Sequence, residues 1–317
     1  MRILFHLPGD DADAWLHDLK AACPEAEIRQ WTPGDARPAD YLLAWKPPAE
    51  LLRGRTGLKA VFNLGAGVDA LLDLLRREPQ LLPASVPIIK LDDAGMGRQM
   101  VEYVMQAVLR HFRRVDDYEA LQRQGIWRPL PPRRHAEHPI GVMGSGALGA
   151  QVIAALGAAG FPVRAWSRHP KPLDASAADA ARFAGKDALP AFLNGLQQLV
   201  NMLPLTPETG NILDRACFDR LAAGAHLVNV ARGAHLVEAD LLDALASGRI
   251  AAATLDVFRQ EPLPADHPFW RHPRIRITPH VSALTERGAS IVQIVSRLHA
   301  MERGETAAGA IDRERGY

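Results

Sequence analysis

Cysteine is nearly absent from this chain. Cys23 and Cys217 are the only two in 317 residues, too few for a disulfide framework. Both are expected to be reduced and inert, which fits a reducing, cytoplasmic compartment. An excess of either charge is also lacking. The 37 Lys and Arg face 36 Asp and Glu, for a net charge of +1, so the basic stripe of a general nucleic-acid binder is not expected. No apolar run approaches the roughly 18 residues that span a bilayer. Met1–Leu7 is short for a signal sequence and runs straight into Pro8-Gly9-Asp10. No internal repeat and no low-complexity tract is visible. No bound metal, membrane or nucleic-acid partner is expected.

What is present is ordinary globular composition, 48% hydrophobic and 23% charged. Single cores stop growing near about 250–300 residues, so the length of this chain argues for two domains. Short apolar runs recur, each closed by a turn signal: Met1–Leu7, Tyr41–Trp45 and Lys59–Leu64. A helical stretch, Asp13–Ala22, follows the first. Strands alternating with helices predict parallel sheets flanked by helices. Val101, Val104, Met105, Val108, Leu109 and Phe112 then give an apolar stripe at helical spacing, predicting one long helix over 98–123 that bridges two domains. Residues 126–139 read as a loop, with Arg133-Arg134 on a solvated face.

A second strand–helix series starts at Ile140. Strands are expected at 140–143, 161–166, 199–203, 225–230, 251–255 and 274–278. Helices are expected over 147–159, from near 187, 214 and 238, and over 285–303. Between the first strand and its helix stands Gly144-Ser145-Gly146-Ala147-Leu148-Gly149, a G-x-G-x-x-G motif. In that context it is a dinucleotide-binding turn. Gly144 would permit the tight turn, Gly146 would let a pyrophosphate approach the backbone, and Gly149 would let helix and strand pack closely. The amides at the helix start would attract the phosphates.

The following strand selects the dinucleotide. An NAD site usually places an acid about 20 residues on, against the ribose 2′-hydroxyl. Here the strand ends in Ser167-Arg168-His169, with no acid at its tip. Serine can hydrogen-bond a 2′-phosphate and arginine can pair with it, with Lys171 nearby. NADP(H) is therefore preferred, with NAD(H) possible if Arg168 only stacks beneath the adenine. Further on, Arg232, Asp256, Glu261 and His280 fall at or just after the ends of strands. Ligands of open α/β sheets bind at those ends.

These segments, in this order, resemble the D-isomer-specific 2-hydroxyacid dehydrogenase family. The residues that carry the likeness are 144–149, Leu203-Pro204-Leu205-Thr206-Pro207-Glu208-Thr209, Asn229-Val230-Ala231-Arg232-Gly233, Leu255-Asp256-Val257-Phe258 with Glu261-Pro262-Leu263-Pro264, and Thr278-Pro279-His280. The likeness covers the whole chain. It is closest to the glyoxylate/hydroxypyruvate reductase A branch, through 63–69, 94–97, 166–168 and the ending 312–317.

The resemblance implies two Rossmann-like domains with a discontinuous substrate domain, 1–99 and 285–317, around an NAD(P)-binding domain, 100–284. It implies reduction of small 2-keto acids, glyoxylate and hydroxypyruvate first, in a cleft that closes on ligand. His280 would be the general acid, Glu261 its hydrogen-bonded partner, and Arg232 the residue that polarises the keto oxygen and binds the carboxylate. Ala66 and Gly67 would form a backbone cradle for that carboxylate. Asp256 would contact the nicotinamide carboxamide, or else cap its strand. Leu203, Pro204, Val230, Ala231 and Met100 would line the cofactor. Trp45 either walls the substrate site or only packs. A homodimer is implied, with 98–123 as the candidate surface. A bulkier 2-keto acid, or a role as a dinucleotide-sensing corepressor, stays open from the sequence.

Overall fold

The computed structural model describes residues 1–170, 177 and 179–316. Lys171 and Tyr317 lie outside them. The chain divides into two compact units, one formed by Met1–Met96 with Thr285–Tyr317, the other by Gly97–Leu284. The division falls three residues before the expected boundary, where a long helix begins.

In the first unit, β1 (Arg2–His6), β2 (Glu27–Gln30), β3 (Tyr41–Ala44), β4 (Ala60–Asn63) and β5 (Ile88–Lys90) form a parallel sheet. Its order is β2-β1-β3-β4-β5. The inner strands are buried on both faces, which is why each reads as an unbroken apolar run. β2 went unread in the sequence because an edge strand buries little; of Glu27–Gln30 only Ile28 is buried. β5, at the other edge of the sheet, also went unread. Helices α1 (Ala12–Ala22), α2 (Ala49–Leu52) and α3 (Asp69–Arg77) lie between these strands in the chain.

The C-terminal helix, Arg287–Glu302, belongs to this unit. Its Glu302 accepts from the Tyr41 hydroxyl at 2.6 Å, and its Arg297 donates to Asp92 at 2.9 Å. These contacts close the unit across more than 200 residues of sequence.

The second unit opens with α4 (Met96–Phe112), and the expected single helix over 98–123 is a misreading. Arg114 takes a left-handed conformation, φ 60°, and α5 (Val115–Arg123) starts afresh. The apolar stripe ends at Phe112. Beyond it Asp116 and Glu119 turn back onto Arg110, at 2.8 and 2.6 Å, which stabilises the bend. Arg133 is another departure. It is half-buried, with its guanidinium on the His111 carbonyl, whereas Arg134 is exposed as expected.

Seven parallel strands follow among the described residues. They are β6 (Ile140–Met143), β7 (Val163–Ser167), β8 (Ala181–Ala184), β9 (Gln198–Asn201), β10 (Ala225–Asn229), β11 (Ile250–Leu255) and β12 (Ile275–Ile277). The order is β12-β11-β10-β9-β6-β7-β8. The chain leaves β6 in one direction for β7 and later returns to its other side with β9. That reversal creates a crevice beside β6, at the carboxyl ends of the strands. No helix among the described residues is long and apolar enough to cross a membrane.

Candidate active site

Because the strands of the second unit are parallel, the segments that follow them share one edge of the sheet. Gly144 follows β6, Arg168 follows β7, and Leu203-Pro204 follows β9. Arg232 follows β10, Asp256 and Glu261 follow β11, and His280 follows β12. The sheet topology thereby assembles residues that stand up to 136 positions apart.

The glycine loop has the close backbone contacts that the motif requires. Gly144 has φ +105°, and a Cβ there would lie 2.6 Å from the Met202 carbonyl oxygen. A Cβ on Gly149 would lie 1.9 Å from the Gly144 oxygen, so helix and loop touch backbone to backbone. A Cβ on Gly146 would meet nothing within 4 Å. It caps α6 (Ala147–Ala158), which has no side-chain cap and no acid in its first turn. The first-turn amides of Ala147, Leu148 and Gly149 thus meet open space at Gly146, a cradle that fits a pyrophosphate.

At the tip of β7 the Ser167 hydroxyl donates to the His169 carbonyl at 2.6 Å. Arg168 is half-buried and reaches across to β9's loop. Its Nη1 donates to Thr206 Oγ1 at 2.9 Å and to Glu208 Oε2 at 3.0 Å. The guanidinium is thus held between the tip of β7 and the loop that follows β9.

The candidate trio of Arg232, Glu261 and His280 is organised by backbone contact. Arg232 donates from Nη1 to the Ala231 carbonyl at 2.7 Å. The next residue, Gly233, presses on the chain after β11: a Cβ there would sit 1.8 Å from the Phe258 carbonyl carbon. Only glycine allows this approach, which brings the arginine loop against the loop of Glu261. Glu261 Oε1 accepts from the Phe258 amide at 3.0 Å, and its Oε2 lies 2.8 Å from His280 Nδ1. An ionised carboxylate only accepts, so Nδ1 donates and Nε2 is the nitrogen left to face a substrate. The two side chains are partly open to solvent, 43% for His280 and 34% for Glu261.

Two residues expected at the cofactor are buried. Asp256 has no exposed surface. Its Oδ1 accepts from Thr278 Oγ1 at 2.6 Å and from the Val281 amide at 2.9 Å, and its Oδ2 from the Ser282 amide at 2.8 Å. It clamps the turn that carries His280. Met100 is buried with Val104, Val142 and Ile153 in the core of the unit. Leu203, Val230 and Ala231 are likewise largely buried, and Pro204 is half-buried.

Sequence reasoning missed the asparagines. Asn201 and Asn229 end β9 and β10, fully buried and bonded through Asn201 Nδ2 to Asn229 Oδ1 at 3.0 Å. Asn201 Oδ1 accepts from the Leu203 amide, and Asn229 Oδ1 from the Ala231 amide, both at 3.3 Å. They fix the two loops that border the crevice. The signal was the repeated Leu-Val-Asn, 199–201 and 227–229: a polar residue ending a buried run requires partners.

In the first unit, Ala66 and Gly67 follow β4, and Trp45 follows β3. The Asn63 amide donates to the carbonyls of Gly65 and Gly67, both at 2.9 Å. In a trans peptide the N–H opposes the C=O, so the Ala66 amide points away from Asn63. The Trp45 ring lies on Gly65, where a Cβ would come within 2.4 Å of it. The indole therefore borders the expected carboxylate cradle. Cys23, Glu25 and His299 also converge in this unit, their donor atoms within 4.8 Å of one another. The thiol and the imidazole both bond the Glu25 carboxylate, at 3.1 and 2.6 Å, so the three satisfy one another.

Residues 105–282, more than half of the chain, match the family model for the NAD-binding domain of D-isomer-specific 2-hydroxyacid dehydrogenases. The chain belongs to that family. It is 51% identical over its full length, and all of the relative's, to a protein of Yersinia enterocolitica named glyoxylate/hydroxypyruvate reductase A. A protein of the same name from Serratia proteamaculans is 52% identical over the same extent. Among solved structures, a D-isomer-specific 2-hydroxyacid dehydrogenase from Xanthobacter autotrophicus Py2, in complex with NADPH and MES, superposes with a TM-score of 0.91. It is 40% identical, with 100% of this chain and 99% of that one covered. An NADPH-dependent glyoxylate/hydroxypyruvate reductase from Sinorhizobium meliloti, with NADP and sulfate, gives 0.89 at 32% identity and the same coverage.

Proposed function

We propose that this enzyme uses NADPH to reduce glyoxylate to glycolate and hydroxypyruvate to D-glycerate. The observation that carries the reading is the pairing of His280 with Glu261, on the same sheet edge as the glycine loop and Arg168. The full-length similarity to reductases of that name supports the substrate class.

Bound NADPH supplies the hydride that adds to C2 of the keto acid. The glycine loop holds its pyrophosphate, and Arg168 with Ser167 holds its 2′-phosphate. Arg232 pairs with the substrate carboxylate and polarises the keto oxygen, for which its fixed fork of donors is suited. The first unit acts as the substrate domain, and its Ala66 and Gly67 amides are suited to a carboxylate. His280 delivers a proton from Nε2 to the oxygen as negative charge develops there. Glu261 holds the ring by Nδ1 and compensates the positive charge of the imidazolium. Trp45 limits the substituent on C2 to hydrogen or hydroxymethyl.

The active form is a homodimer in the cytoplasm. Trp127 is fully exposed, and Leu109, Tyr118 and Ile126 are exposed with it at 97–130, an apolar set suited to a second copy. Two buried, unpaired cysteines suit a reducing compartment.

A panel of glyoxylate, hydroxypyruvate, pyruvate and phenylpyruvate, assayed with NADPH and NADH, tests the function. Glyoxylate and hydroxypyruvate with NADPH should give the highest kcat/KM. Preference for phenylpyruvate, or equal use of the two cofactors, would overturn it.

A further inference from the structure

His280 stands in a conformation that side chains rarely adopt, with φ 57°. Such a conformation persists only where its surroundings over-determine it. Here Asp256 does so twice. Its backbone carbonyl accepts from the His280 amide at 2.8 Å, and its carboxylate takes the Val281 and Ser282 amides that follow.

The clamp has an outer member. The Tyr103 hydroxyl, from α4, lies 2.5 Å from Thr278 Oγ1. Thr278 has one hydroxyl proton and gives it to Asp256 Oδ1 at 2.6 Å. The tyrosine must then be the donor to the threonine. Burial pushes the Tyr103 phenol up to about 12, so the proton it donates is present throughout the working range. The chain Tyr103 to Thr278 to Asp256 thus has a single direction and ends on the turn of His280.

We propose that Tyr103 is a positioning residue for His280: its hydroxyl commits Thr278 to Asp256 and so fixes the left-handed turn from which the imidazole reaches the substrate. The proposal rests on His280 being the proton donor. Among the described residues Tyr103 hydrogen-bonds Thr278 and neither the imidazole nor the glycine loop, so its effect falls on the chemical step and leaves cofactor binding alone. Hydrogen bonds in series strengthen one another, so Tyr103 and Thr278 act as one unit.

The full-length enzyme carrying Tyr103→Phe, Thr278→Val or Thr278→Ser tests it, with kcat, KM for glyoxylate and NADPH affinity by fluorescence titration. Tyr103→Phe should lower kcat about 3–10-fold, the worth of one hydrogen bond, with NADPH affinity within about twofold of the parent. Thr278→Val should lose at least as much, and Thr278→Ser should restore the rate. The double variant Tyr103→Phe/Thr278→Val should be no slower than Thr278→Val alone. A merely structural tyrosine would instead give additive losses, and serine would fail to rescue. In a His280→Ala background, Tyr103→Phe should change the residual rate no further. Parent-like turnover by Tyr103→Phe, or an equal loss in that background, would overturn the proposal. Parent-like turnover by His280→Ala would overturn the reading beneath it.

Discussion

The imidazoles of His111 and His226 stack inside the second unit, centroids 4.9 Å apart and planes within 16°. His138 completes the cluster, 6.0 Å from His111. His226 Nδ1 donates to Gln198 Oε1 at 2.9 Å, and the Gln198 amide in turn donates to His138 Nε2 at 2.9 Å. His138 must be neutral to accept. His111 Nε2 has no hydrogen-bond partner among the described residues. Burial pushes all three down, His138 to about 4, His226 to about 3 and His111 to about 2.

Acid should therefore destabilise this unit. The folded-state values lie below the unfolded value near 6.5, so below that pH the unfolded chain binds more protons. Stability is full above about pH 6.5 and falls as pH drops toward about 4. With three histidines the slope approaches about 4 kcal/mol per pH unit below pH 6. Urea unfolding between pH 7.5 and 5 measures it. A flat curve would mean that the cluster is hydrated in solution. His138→Gln should remove about one proton from the slope.

Cofactor choice should follow Arg168. Losing a charged hydrogen-bond partner of a phosphate costs about 1.5–3 kcal/mol. Arg168→Ala should then cut kcat/KM with NADPH about 10–100-fold and leave that with NADH nearly unchanged. Steady-state rates with both cofactors check this. An unaltered ratio would place the 2′-phosphate on other residues. Glu208 already bonds Arg168 Nη1, so Glu208→Gln should not weaken NADPH binding.

The trio at the strand ends should separate chemistry from binding. His280→Ala should lower kcat about 10²–10⁴-fold while NADPH still binds. Glu261→Gln keeps a hydrogen bond to Nδ1 but removes the charge, so its loss in kcat should be smaller than that of Glu261→Ala. Equal losses from the two Glu261 variants would reduce the glutamate to a steric prop.

Substrate size should depend on how Trp45 sits on Gly65. Trp45→Ala removes the indole beside 65–67 and should narrow the preference for glyoxylate over larger 2-keto acids, at some loss of rate. Gly65→Ala should act the same way, because its methyl would displace the ring. If both variants keep the parent's ranking of keto acids, Trp45 is packing alone.

Much of this protein was legible in its sequence because the relevant physics is local. A glycine loop between an apolar run and an alanine-rich helix states its own geometry, and Gly144 and Gly149 leave no room for a Cβ. Inner strands buried on both faces read as apolar runs, so β1, β3, β4, β6, β7, β9, β10 and β11 were visible; of the edge strands β12 was read and β2, β5 and β8 were not. What the tertiary structure alone decided depends on partners distant in sequence. The sequence suggests a cofactor contact for Asp256, and only the folded chain sets the amides of Val281 and Ser282 on its carboxylate. Arg114 shows no helix breaker, yet the helix ends there. Nothing in the sequence singles out Tyr103, and only folding sets its hydroxyl on Thr278, 175 residues away. Periodicity records which face of an element is buried; it does not record which polar atom on that face finds a partner.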